Sequence, residues 1–168
     1  GLDRTKIIKA FNSTNFFSKK IVQNNLIESI KVLKEKENKC DIKISDIIED
    51  NYQKLNLFFT FNHPTGNLLY PIVDRILSHI NRPPLSKAIK LKYSRVLGGI
   101  HWRSVVSIHE ALHLDFQKTD NFFVANKIYT LDEFIDKSYD FYKQNNQLVN
   151  LNLDRIFPVS YFDEGNTL

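Results

Sequence analysis

The run Leu57-Phe58-Phe59-Thr60-Phe61-Asn62-His63-Pro64-Thr65 carries an apolar segment into polar side chains able to do chemistry. An imidazole titrating near neutral pH moves protons readily, so His63 is the candidate catalytic acid or base, with Asn62 or Thr65 to orient it or a ligand. Pro64 is tolerated in a first helical turn, so these side chains are delivered to a helix start. Unpaired amides and the positive end of the helix dipole suit such a place to a phosphate or carboxylate. The plainer reading is structural: Asn62 or Thr65 caps the helix, and His63 bonds a neighbouring carbonyl.

A second constellation is His109-Glu110-Ala111-Leu112-His113, which has the letters of the His-Glu-x-x-His zinc motif. On a helix, a four-residue step puts both imidazoles on one face for one metal ion, with Glu110 as base toward a bound water. Glu133 lies 20 residues beyond His113, a spacing that resembles the third ligand of thermolysin-like zinc peptidases. Against this, Lys137 stands where those peptidases place an aspartate behind the ligand. Phe116 and Thr119 occupy the glycine and third-histidine positions of the metzincin form. Two readings follow: a zinc-dependent hydrolase, or an ordinary amphipathic helix whose histidines flank its apolar face.

Trp102 and Arg103 also fit a ligand, the indole by stacking on an adenine and the guanidinium by clamping a phosphate. Their bland counterpart is a packed aromatic beside a surface arginine. Lys87, Lys90, Lys92 and Arg95 form a basic cluster that suits phosphates, an acidic glycan or simply water. Across 168 residues the net charge is only +4, short of the basic stripe of a nucleic-acid binder. The single cysteine, Cys40, can form no internal disulfide, which points to a reducing compartment and so to the cytoplasm. No run reaches the roughly 20 apolar residues of a membrane span, and the first residues lack the apolar core of a signal peptide.

Several elements must position these groups. Asn12 to Asn15 is a break; from Ser18, Ile21, Val22, Leu26, Ile30 and Leu33 recur at helical steps, closed by a solvated charged end from Lys34 to Lys39. Ile42 to Ile48 reads as a short extended piece entering a Ser- or Asp-capped helix, and Leu55 to Phe61 as a buried strand or extended segment. Leu68 to Ile80 is a broad apolar helical face that Pro71 either kinks or opens, and Asn81-Arg82-Pro83-Pro84 closes it. Leu97 to Ile100 is a turn, followed by a helical face from Val105 to Phe116. Asp120-Asn121 forms another turn before an extended stretch from Phe122 to Tyr129. Thr130 and Glu133 have capping-box spacing ahead of a final helix through Ile135, Tyr139 and Tyr142. The tail from Asn145 is Asn-rich and reads as surface. The composition, 42% hydrophobic and 25% charged, supports one compact domain over residues 1–168, mainly α with a few short strands. Absence of methionine and an opening Gly1 suit a fragment or processed piece better than a complete translation product.

The block Leu57 to Thr65, continuing to Leu68-Leu69 and Ile76-Leu77, resembles the WcbI-type family of capsular polysaccharide biosynthesis proteins. Lys36-Glu37 with Cys40 to Ile48, Leu97 to Ile100, Ser107 to Leu114 and Thr130 to Tyr142 are similar to further segments of that family. The resemblance spans roughly residues 30 to 142, with Asn62-His63-Pro64-Thr65 its most specific part. It implies a bacterial coenzyme A-binding protein that transfers an acetyl or other acyl group from acetyl-coenzyme A, or a related donor, to a surface-glycan precursor. It also implies that a preceding segment carries a Gly-Asn-Cys-Gln type motif with the nucleophilic cysteine. Cys40 lies in Asn-Lys-Cys-Asp and does not match it. Under the resemblance the site is His63 as the proton-transfer group, with Asn62, Thr65 and Arg103 binding the coenzyme, and the zinc letters become an accident. A chain without that nucleophile also suits a non-catalytic binding or scaffold domain.

Overall fold

The computed structural model describes residues 3–145. Among them the chain is mainly α with a few short strands, as the periodicities imply. α1 (Arg4–Phe11) begins at Asp3, whose carboxylate accepts from the Thr5 amide at 2.8 Å. α2 (Lys19–Glu37) follows the turn at Asn12 to Asn15 and packs along α6 (Val106–Leu112). Polar ties reinforce that contact: Gln23 Nε2 donates to the Ala111 carbonyl at 3.0 Å, and the Phe17 amide donates to Ser107 Oγ at 3.2 Å.

The charged end of α2 is not wholly solvated as its composition suggests. Glu37 is buried, and its carboxylate accepts from the Ile44 amide, the Ser45 amide at 2.8 Å and the Ser45 hydroxyl at 2.5 Å. It thereby satisfies the start of α3 (Ser45–Asn51), whose N-cap residue, Ile44, has no side chain able to do so. The expected Ser or Asp cap is thus replaced by a carboxylate from another helix.

Leu55 to Phe61 yields only a three-residue strand, β1 (Phe58–Thr60), paired antiparallel with β2 (His63–Pro64) so that Thr60 faces His63. α4 (Gly66–His79) starts immediately after, capped by Thr65, and runs through Pro71. Pro71 removes the ladder donor for the carbonyl of Asn67, an exposed residue in the first turn of the helix. The helix therefore needs no break there. Residue 66 must be glycine for space: a Cβ on it would lie 2.6 Å from the ring of Tyr70, whose hydroxyl donates to the Lys90 carbonyl at 2.6 Å in α5 (Lys87–Lys92).

A second antiparallel sheet has the order β3 (Ile100–His101), β4 (Phe122–Val124), β5 (Lys127–Tyr129). The extended stretch Phe122 to Tyr129 is thus a hairpin, turned by Ala125 and Asn126 at φ 48° and 66°. Its end enters α7 (Leu131–Gln144) through the capping box, with Thr130 accepting from the Glu133 amide and Glu133 accepting from the Thr130 amide. Residues 146–168 of the tail lie outside the described residues. The two sheets meet where the Trp102 amide donates to the Phe59 carbonyl at 2.9 Å. The core has two centres, one of Ile47, Leu57 and Leu68 behind β1, the other of Phe122, Leu131 and Ile135 under α7. The strand pairing between them fixes where Trp102 and Arg103 stand relative to the Asn-His-Pro segment.

Candidate functional site

His63 is half-buried at the start of β2, and its Nδ1 lies 2.7 Å from the hydroxyl of buried Thr60. That hydroxyl has one proton to give. Thr60 Oγ1 donates to Asn62 Oδ1 at 2.9 Å, an acceptor that supplies no proton of its own. The Thr60–His63 bond must then use a proton on Nδ1, which leaves Nε2 as a lone pair. Among the described residues no protein group bonds Nε2. Three residues of one turn therefore set an imidazole in the tautomer of a base. Sequence spacing placed Asn62 beside His63; the orienting role of Thr60 was missed, although a buried threonine inside Phe58-Phe59-Thr60-Phe61 was a signal for it.

Thr65 is buried and committed to the fold. Its hydroxyl donates to the Asn56 carbonyl at 2.8 Å and accepts from the Asn67 amide at 3.2 Å, as a helix cap does. It holds the start of α4 next to His63, so what it contributes is position. Asn62 is exposed, with its side-chain oxygen turned back to Thr60.

Behind β1 lies a cavity of about 480 Å³ whose walls include Thr60, Phe61, Trp102, Arg103, His109 and Phe116. Its size is that of a small-molecule site. Thr60 joins the two halves, bonding His63 on one side and facing the cavity on the other. Asn62, His63 and Thr65 do not line the cavity, whereas Arg103 does. Arg103 Nε is buried there without a partner among the described residues. Phe61 and Trp102 lie with ring centroids 5.7 Å apart and are 79% and 48% exposed, leaving an open aromatic pair at the rim. Trp102 also borders a second, almost wholly apolar cavity of about 330 Å³ formed with α1 and α7.

The zinc arrangement is not assembled. α6 stops at Leu112, and His113 takes the left-handed conformation at φ 52°, so the two histidines do not share a helical face. His109 turns inward against Phe116, with ring centroids 5.0 Å apart, while exposed His113 sits 3.4 Å from Lys19 Nζ. Glu110 pairs with Lys118 at 2.9 Å, and Glu133 is occupied in the Thr130 capping box. No group of three metal-ligating side chains converges among the described residues. The helical face expected to run on to Phe116 is broken by that left-handed residue.

His109 is the residue whose place was least foreseen. It is 4% exposed, and neither ring nitrogen has a hydrogen-bond partner among the described residues. Burial, and then the charge of Lys118, push its pKa down; the nearby Leu114 backbone opposes this, but lies outside hydrogen-bonding geometry. His101, set edge-on to Phe59, is likewise held below its usual value, by burial and by Arg95. Within the basic cluster Lys90 is paired with Asp74 at 2.6 Å, while Lys92 and Arg95 lie over the rings of Tyr93 and Phe123 and keep their charge. Cys40 is exposed and unpaired.

Fold and site together define a helical α/β domain with a histidine-bearing turn beside a cavity of cofactor size. The family described as "Polysaccharide biosynthesis enzyme WcbI" matches residues 1–85, half of the chain, and the chain belongs to that family. The match starts earlier than the resemblance read from the sequence and ends at residue 85. No curated protein matches the chain. A solved structure of WcbI, called a novel polysaccharide biosynthesis enzyme, is similar in fold with a TM-score of 0.62 at 16% identity. That structure is of the native protein without a disulfide bond between coenzyme A and one of its cysteines. The likeness covers 84% of this chain and 48% of the other, so the chain spans about half the length of the solved relative. No helix among the described residues is long and apolar enough to cross a membrane.

Proposed function

We propose that this chain serves bacterial surface-polysaccharide biosynthesis by binding coenzyme A and taking part in transfer of an acetyl or other acyl group to a glycan precursor. The observation that carries this reading is the fixed His63 tautomer beside a cavity holding an unpaired arginine N–H. Membership of a polysaccharide biosynthesis family supports the biosynthetic setting, and the coenzyme A named with the solved relative supports the choice of ligand. The residues fit the coenzyme: an orphaned donor at Arg103 seeks an acceptor oxygen, and exposed Phe61 and Trp102 offer a face to a flat base.

When bound as its acetyl thioester, coenzyme A supplies an acyl carbon activated toward a hydroxyl. The chain's own residues do the rest. Arg103 holds an acceptor oxygen of the ligand through Nε, and Thr65, by capping α4, fixes the segment that carries Asn62 and His63. His63 would take the proton of the acceptor hydroxyl at Nε2 while Nδ1–H stays bonded to Thr60, as that oxygen bonds the acyl carbon in place of sulfur, and would give the proton up as the free thiol leaves. An unpaired exposed Cys40 accords with a reducing, cytoplasmic setting.

Calorimetry with coenzyme A, paired with an acetyl-transfer assay, tests this. Arg103→Met is expected to weaken coenzyme binding about tenfold, the worth of one charge-assisted hydrogen bond. His63→Ala is expected to keep binding and to slow transfer by about 10²-fold or more. Binding and turnover unchanged in both variants would overturn the reading. Binding of the coenzyme with no transfer in the wild type would instead favour a non-catalytic binding domain.

A further inference from the structure

The cavity behind β1 has an interior that differs from its rim. Most of its lining is apolar, from Leu57 and Phe59 on one side to Ile108, Leu112 and Phe116 on the other. Into it come two polar side chains with nitrogens that have no hydrogen-bond partner among the described residues: Arg103 through Nε, and His109, 96% buried, through both ring nitrogens. Buried polar groups without partners are uncommon in folded proteins, and each costs about as much as a lost hydrogen bond. A neutral imidazole offers one donor and one acceptor, and Arg103 Nε offers a further donor. A phosphate would satisfy the donors and repel the lone pair. An ammonium group would satisfy the lone pair and repel the arginine. An amide supplies a carbonyl to the donors and an N–H to the lone pair, and a chain of methylenes around it suits the walls.

We infer that the interior of this cavity is a subsite for an uncharged, amide-bearing apolar arm, and that His109 is its specificity-determining contact. This rests on the coenzyme A reading, because the pantetheine portion of that molecule is such an arm. It assigns the amides of that portion to the interior. His109, whose letters belong to a metal motif, then has a role that needs no metal.

The test uses the full chain with nitrogen-15 labelled histidine and two probes. One is pantetheine, which has the arm and no phosphate; the other is adenosine 3′,5′-bisphosphate, which has phosphates and no arm. Pantetheine is expected to move the His109 ring-nitrogen resonances, and the bisphosphate to leave them in place. His109→Phe keeps a ring against Phe116 and removes both nitrogens; it is expected to weaken pantetheine about tenfold and the bisphosphate less than about twofold. Its unliganded melting temperature should not fall, because unsatisfied polar atoms have been removed. His109→Gln, which restores a donor and an acceptor, should recover most of the pantetheine affinity. If coenzyme A binds while pantetheine leaves the His109 signals unmoved, this subsite is refuted and the coenzyme reading stands. If none of the three ligands binds, both fall.

Discussion

Replacing Glu37 should expose how much of the domain hangs on one inter-helix cap. Its carboxylate receives three hydrogen bonds at a buried position, from two amides and a hydroxyl that begin α3. Bonds to a charged acceptor are worth about 1.5–3 kcal/mol each, and the desolvation of the charge takes back several kcal/mol of that total. The net loss in Glu37→Ala should be about 3 kcal/mol, because both amides are left without a partner. Glu37→Gln keeps an acceptor oxygen, and the Ser45 hydroxyl can turn to accept from the new amide, so its cost should be about 1–1.5 kcal/mol. Burial acts to raise the Glu37 pKa, but the Ser45 hydroxyl and the two amides outweigh it and hold it below the usual carboxylate value. The stabilisation is therefore complete above the unfolded value, about 4.3, and drains away as pH falls through the lower folded value. Urea unfolding at pH 7 and across the acid range reads all of this, with exposed Glu35→Ala on the same helix as control. Losses within about 0.5 kcal/mol of that control for both variants, or an unaltered acid limb, would refute the reasoning.

Thr60→Val should release the His63 tautomer, so nitrogen-15 spectra should show protonated Nε2 rising at the expense of Nδ1, with transfer slowed and coenzyme affinity held. Gly66→Ala places a methyl group 2.6 Å from Tyr70 and should cost about 1–3 kcal/mol, measured by thermal unfolding, with the Tyr70–Lys90 tie loosened. Asp74, held below its usual pKa first by Lys90 and then by the Leu85 amide, links α4 to the approach to α5. Asp74→Asn should cost about 1 kcal/mol at neutral pH and speed hydrogen exchange at the Leu85 amide. In the unmodified protein that protection should persist above about pH 3.9 and fade as pH drops through the depressed value.

Local signals in the sequence were legible where the chain solves its own problem nearby. The Thr130–Glu133 box, the Thr65 cap and the apolar faces of α2, α4 and α7 all follow from spacings within four residues. Asn62, His63 and Thr65 were legible as neighbours because a strand end and a helix start meet there. The role of Glu37 was not, since its partners sit across a turn and belong to a different helix. His109 was misread because a helical wheel shows which side of α6 a residue takes but not that His113 ends the helix and folds Phe116 back over the ring. The hairpin at Ala125-Asn126 lacked the glycine that usually announces such a turn.

Trp102 is the chain's only tryptophan, and it borders both the small-molecule cavity and the apolar hollow beneath α7. Its indole is thus a native optical probe sited between two compartments. Emission from an unlabelled sample would report a guest entering either one. The Phe61→Ala and Tyr142→Ala variants, altering one compartment each, would tell which had filled.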